Sequence, residues 1–168
     1  MKKVIFASMA LFTCALFLAS PVFATEKFAY VDLSRLFSEY GKTKDYDKVL
    51  NDKQNTYRTE IDKKTNEVKQ FQERLNLLSD KEKESKRAEF EGKVKNLQDF
   101  ERQKLTDLRK EQDDKMKEIF KDIEEAVKQY AQKEGYTLVF NDKVFVYQNK
   151  NMDITDKVMG ILNKGYKK

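Results

Sequence analysis

The only proline in this 168-residue chain is Pro21, so nothing from residue 22 to the end bars a helix of any length. A proline inside a helix removes a backbone donor, clashes with the preceding turn and costs about 3 kcal/mol. The stretch 42–134 uses that freedom. From Lys42 to about Leu78 the apolar residues Tyr46, Leu50, Tyr57, Ile61, Val68, Phe71, Leu75 and Leu78 fall at spacings of 4, 7, 4, 7, 3, 4 and 3. They share one narrow helical face, with Lys or Gln in several of its gaps. Ser79-Asp80-Lys81-Glu82 then has the pattern of a capping box, which marks a chain reversal and the start of a second helix. That helix is expected from about Asp80 to Glu134, with Phe90, Val94, Leu97, Leu105, Leu108, Met116, Ile119, Ile123, Val127 and Tyr130 as its stripe. Eleven helical steps from Phe90 to Tyr130 give about 3.64 residues per step, the period of a straight helix, so little supercoiling is expected. The outgoing helix should span roughly 55 Å; the returning one is longer, so its last turns must pack elsewhere. Gly92 is its soft point.

The flanks read differently. Lys27 to Val31 has the character of a short strand, followed by Asp32 as N-cap of a two-turn helix with Leu33, Leu36, Phe37 and Tyr40 on one face. Gly41 is expected to end that helix in the left-handed conformation, and Gly135 to end the long one. Tyr136 to Phe140 and Val144 to Tyr147, separated by Asn141-Asp142-Lys143, read as a β-hairpin. A final helix capped by Asp153 or Thr155 carries Ile154, Val158, Ile161 and Leu162, and the tail from Gly165 to Lys168 is expected to fray. The fold class is therefore α+β, mostly α: a long antiparallel helical hairpin, coiled-coil-like, on a small strand-bearing body. The strands are apolar on both faces, and two short helices cover only one. Self-association through Tyr30, Val31, Val139, Val144 and Val146 is the expected remedy.

The N-terminus carries Lys2 and Lys3, an apolar run from Val4 to about Leu18, Pro21, and then Val22-Phe23-Ala24, which places small residues at the two positions a signal peptidase reads. Cleavage is expected after Ala24, leaving 25–168 as one domain whose body is 25–41 with 135–168 and whose arm is 42–134. The apolar run is too short for the roughly 20 residues that a membrane span needs. Cys14, with Leu11 three residues ahead, sits like a lipoprotein cysteine, but Thr13 is a poor preceding residue, and Cys14 reads as part of the apolar run.

The 144 residues beyond Ala24 contain no Cys, His, Trp or Pro. Disulfides and the usual zinc ligands are thereby absent, as is the neutral-pH proton shuttle of histidine. No phosphate loop or nucleophile motif is present, Asp32 reads as a cap, and the expectation is a non-enzyme with no cofactor. Between Lys42 and Lys133, 24 basic residues face 22 acidic ones, a solvated helical surface rather than a nucleic-acid groove. A local basic excess at Lys81, Lys83, Lys86 and Arg87, and Phe100 beside the stripe, are the candidate contacts for a client or for anionic lipid.

In order and in residues the chain resembles the Skp (OmpH-like) family of periplasmic chaperones. The match lies in Phe28-Ala29-Tyr30-Val31-Asp32 with Leu36-Phe37 and Tyr40-Gly41-Lys42, in Gly135-Tyr136-Thr137-Leu138-Val139-Phe140, and in Asp153-Ile154-Thr155 with Val158. The resemblance implies a homotrimer in the periplasm, whose strands form a small body and whose helical arms enclose unfolded outer-membrane proteins without ATP. It is compatible with weak contact to lipopolysaccharide. The second reading is a coiled-coil scaffold or tether of the cell envelope, which would not capture unrelated unfolded proteins.

Overall fold

The computed structural model describes residues 26–166. The export signal read in residues 1–24, with its cleavage site before Thr25, and the tail residues Lys167 and Lys168 lie outside the described residues. The elements run in the order β1 (Phe28–Val31), α1 (Leu33–Glu39), α2 (Gly41–Asn76), α3 (Asp80–Glu134), β2 (Leu138–Asn141) and α4 (Thr155–Gly165). Between β2 and α4 the chain makes 3₁₀ turns at Asp142–Val144 and Lys150–Met152.

Local signals set most boundaries. The Asp32 carboxylate accepts the Arg35 N–H at 2.9 Å and starts α1. Glu82 reaches back to the Ser79 N–H at 3.1 Å and to its hydroxyl, closing the start of α3 after a tight reversal at Leu77 and Leu78. Gly135 takes φ +72° and ends α3, its N–H donating to the Ala131 carbonyl. Gly41 departs from expectation. Its φ is not positive; the break between α1 and α2 is the extended Tyr40, and Gly41 opens α2. Glycine is there for space: a Cβ would sit 3.2 Å from Asn163 Oδ1 and from the Tyr166 ring, and the Gly41 N–H donates to Asn163 Oδ1 at 2.9 Å. Tyr166 is correspondingly not frayed. It packs edge-on against Tyr40, and its hydroxyl donates to Asp45 Oδ2 at 3.1 Å.

The sheet also differs from the expected hairpin. β1 and β2 pair in parallel, with Phe28 opposite Leu138 and Val31 opposite Asn141. Val144 to Tyr147 forms no strand. The Asn141 side chain accepts from the Lys143 N–H and turns the chain out of the sheet. The turned segment swings over the second face of β1, where Phe145 meets Tyr30 edge-on at 6.2 Å and Phe140 at 5.3 Å. Tyr30 is thus buried inside its own chain, so part of the apolar surface that argued for association is covered without a partner.

The core lies on the other face. Ala29 and Val31 of β1, Leu36 and Tyr40 near α1, Ile119, Ile123 and Ala126 of α3, and Ile154, Val158 and Leu162 around α4 form one buried cluster. The last turns of α3 therefore pack on the body, as its excess length requires. Asp32 N–H donates to Thr155 Oγ1 at 2.9 Å, and Arg35 reaches Asp156 at 2.6 Å, joining the two ends of the chain. Among the described residues no helix is long and apolar enough to cross a membrane.

Candidate client-binding arm

At 36 and 55 residues, α2 and α3 extend about 54 and 82 Å at 1.5 Å per residue. Their shared length is a two-helix hairpin with no third layer to cover it. Beyond Thr43 on α2, and before Ile119 on α3, no residue of either helix is buried. The seam side chains stay partly exposed, so the arm is held by modest contacts at many places.

Polar residues do much of that work. At the root, Lys42 Nζ lies 2.6 Å from Glu118 Oε1 and 2.7 Å from Asp122 Oδ2, and the Tyr40 hydroxyl donates to Asp122 at 3.1 Å. Burial and that acidic partner push the Tyr40 phenol up to about 12. Hydrogen bonds from Lys115 and Lys42 hold the Glu118 carboxyl down at about 2. Further out Lys53 grips both oxygens of Glu111 across the seam, at 2.5 and 2.6 Å.

Aromatic rings fill the outer seam. Phe71 and Phe90 stack at 6.2 Å with planes 11° apart, flanked by Lys93 and Arg74. Lys104 lies over Tyr57 and over Phe100, and Lys64 lies over Phe100 from the opposite helix. Tyr57, Phe71 and Phe90 are half-buried seam residues. Phe100, read as lying beside the stripe, is on the seam and half-buried too, whereas Leu105, counted in the stripe, is 52 % exposed. The seam face carries Lys104, Glu111 and Lys115 as well as apolar residues, so a hydrophobic stripe alone traced it one position off. Alternating opposite charges and rings across two facing helices are the signal that would have found it.

The basic turn is less free than its composition suggests. Lys83 is near Asp80, Lys86 near Glu89, and Arg87 lies between Glu84 and Glu91, all at helical i,i+3 or i,i+4 spacing. Lys81 is exposed at the same end of the arm. The two candidate features are also apart: Lys81, Lys83, Lys86 and Arg87 sit at the tip, while Phe100 is well down the hairpin.

The body presents its own apolar surface. Val144 is 65 % exposed, Val146 and Tyr147 more so, with Leu138 and Phe28 nearby in the sheet. Of the residues expected to join copies of the chain, Tyr30 and Val31 are buried in the single chain, Val139 is half-buried, and Val144 and Val146 face solvent. Where arm meets body, an apolar groove of about 300 Å³ runs between Phe120, Ile123 and Val127 of α3 and Val31, Leu33 and Val139. Among the described residues no group of three or more acidic side chains is placed to hold a metal ion.

A family model described as outer membrane protein (OmpH-like) matches residues 27–162. Among solved structures, the chain is similar to a protein from Caulobacter crescentus CB15 described as a proposed outer membrane chaperone (OmpH-like). The two share 14 % identity and a TM-score of 0.77, over 84 % of this chain and 86 % of that one. No curated protein matches the chain.

Proposed function

The chain belongs to the OmpH-like outer membrane protein family, and from that membership and the form of its arm we propose that it is a chaperone: an ATP-independent holdase of the periplasm that keeps unfolded outer-membrane proteins from aggregating before membrane assembly. The observation that carries this reading is the arm, a hairpin some 50 Å long that buries no side chain beyond its root. Its rings sit in the seam between the two helices, but none of Tyr57, Phe71, Phe90 and Phe100 is fully buried, so each leaves part of its surface open. Scattered partial contacts of this kind hold a chain without imposing a conformation on it. Enclosure replaces strong affinity, because weak contacts on linked arms act at high effective concentration.

The enclosure calls for several copies, and a homotrimer joined through the body is the assembly proposed. The exposed Val144, Val146 and Tyr147, beside β2, which among the described residues pairs with β1 alone, are the surface offered for it. The basic tip at Lys81, Lys83, Lys86 and Arg87 is proposed as a weak secondary contact for anionic lipid or lipopolysaccharide, tempered by its local carboxylates.

The test is aggregation of a urea-diluted outer-membrane β-barrel protein, followed by light scattering with no nucleotide present. The full chain should suppress scattering. A variant lacking residues 51–112, joined by a short linker, should not, although none of the buried core residues lies in the deleted segment. Equal protection by the armless body would overturn the arm as the binding device and favour an envelope scaffold.

A further inference from the structure

A half-buried lysine packs its stem and fixes where its ammonium emerges, and in a helical hairpin that position is commonly answered by a carboxylate. Among the described residues seven lysines are half-buried. Four of them, Lys42, Lys53, Lys83 and Lys115, have an acidic partner. The other three, Lys64, Lys93 and Lys104, form no ion pair among the described residues. All three instead lie over aromatic rings in the outer arm.

They form two stations. In the first, Lys104 Nζ is 4.4 Å from the Tyr57 ring centre and 5.1 Å from that of Phe100, with Lys64 4.9 Å from Phe100. In the second, Lys93 lies 5.4 Å and Arg74 5.9 Å from the ring of Phe71, which is stacked on Phe90. A ring face engages one side of an ammonium and leaves its outward side unanswered. Glu89 feels Lys93 and Arg74 at longer range but gives its carboxylate to Lys86. The contrast with the tip is direct, since Lys83, Lys86 and Arg87 are already neutralised by neighbours on their own helix.

We propose that these two stations are where the arm takes hold of an unfolded polypeptide: the ammonium accepts an Asp or Glu carboxylate of the bound chain, and the ring beside it takes an adjoining apolar side chain. The inference rests on the holdase reading and deepens it, by assigning the arm a preference for segments in which acidic and apolar residues alternate. Charge complementarity selects that occupant, because the groups that lie over the rings of both stations are all cations and each adjoins partly exposed aromatic surface.

Two unstructured, fluorescently labelled peptides test it. They share the same apolar residues, and one carries Asp and Glu where the other carries Asn and Gln. Anisotropy titrations use the full exported chain, the triple variant Lys64→Gln, Lys93→Gln, Lys104→Gln, and a control triple, Lys63→Gln, Lys95→Gln, Lys110→Gln, at exposed lysines. The acidic peptide should bind the first triple roughly tenfold more weakly than the parent, and the control triple within about threefold. The neutral peptide should change by less than about twofold in either. Replacing the three lysines with arginine, which keeps charge and ring contact, should restore acidic-peptide binding. Equal loss in the two glutamine triples, or acidic and neutral peptides bound alike by the parent, would overturn the stations. Failure of the parent to bind either peptide would overturn the holdase reading itself. Should the first triple lose arm helix by circular dichroism, Lys104→Gln alone decides, and an acidic-to-neutral binding ratio unchanged from the parent overturns the proposal.

Discussion

Lys42 and Glu118 meet at 2.6 Å where the arm enters the body, joining the first turn of α2 to the stretch of α3 that carries the buried Ile119 and Ile123. The arm depends on this root because nothing further out is buried. Burial works against the Lys42 charge, but hydrogen bonds to Asp122 and Glu118 outweigh it and hold the ammonium above its ordinary range.

Acid should loosen that root before alkali does. Glu118 is pulled from its ordinary 4.5 down to about 2, so its contribution is full above about pH 4.5 and fades as pH falls toward 2. Lys42 is shifted upward, so its contribution is full below its ordinary 10.5 and fades only above that. Glu118→Gln should therefore flatten the fall in melting temperature between pH 4.5 and 2, followed by circular dichroism. The Glu118 side chain is 42 % exposed, so solvent screens the pair and the cost at neutral pH should stay below about 1 kcal/mol. A variant as acid-sensitive as the parent would show that Glu118 is not the titrating group.

Two glycines of the helical arm should respond in opposite directions to the same substitution. Gly92 is exposed on α3 and a Cβ there meets nothing within 4 Å, so Gly92→Ala should stabilise by about 1 kcal/mol. At Gly41 the new methyl would press on Asn163 and Tyr166, disturbing the Gly41 N–H bond to Asn163 and the Tyr166 contacts. Gly41→Ala should destabilise by about 1 kcal/mol net, the crowding outweighing the gain in helix propensity. Urea unfolding midpoints measure both. A stabilised Gly41→Ala would mean that the last turn of α4 yields freely.

Folding of the single chain and assembly of copies should separate by mutation. Tyr30 is buried within its own chain, so Tyr30→Ala should cost about 3 kcal/mol and lower the helical signal at elevated temperature. Val146 is fully exposed in the chain, so Val146→Asp should leave that signal intact while reducing the mass seen by light scattering. Unchanged mass in Val146→Asp would move the proposed contact between copies away from this segment.

Most of the arm was legible because its determinants are local. Ser79 and Glu82 announce the start of α3, Gly135 its end, and the spacing of Phe71 and Phe90 places both on the seam. Phe100 and Leu105 were not legible from the same pattern. Which of them faces α2 depends on Lys64, Lys104 and Glu111 sharing the interface, and a two-helix seam with one side in water accepts charged residues that a deeper core would reject.

The sequence by itself determined what capping, helix period and proline content control: a short strand, a capped two-turn helix, a long hairpin and a closing helix, in that order. Only the tertiary structure decided how β1 pairs, where Val144 to Tyr147 goes and why residue 41 is glycine. Those outcomes turn on residues far apart in the chain. Thr137 N–H meets the Lys27 carbonyl, Phe145 covers Tyr30, and Asn163 and Tyr166 close over Gly41. The β-branched and aromatic run at 144–147 favours an extended conformation, but a strand exists only where another backbone offers its hydrogen bonds. In this chain β1 gives those bonds to β2, and residues 144–147 are left as exposed apolar surface.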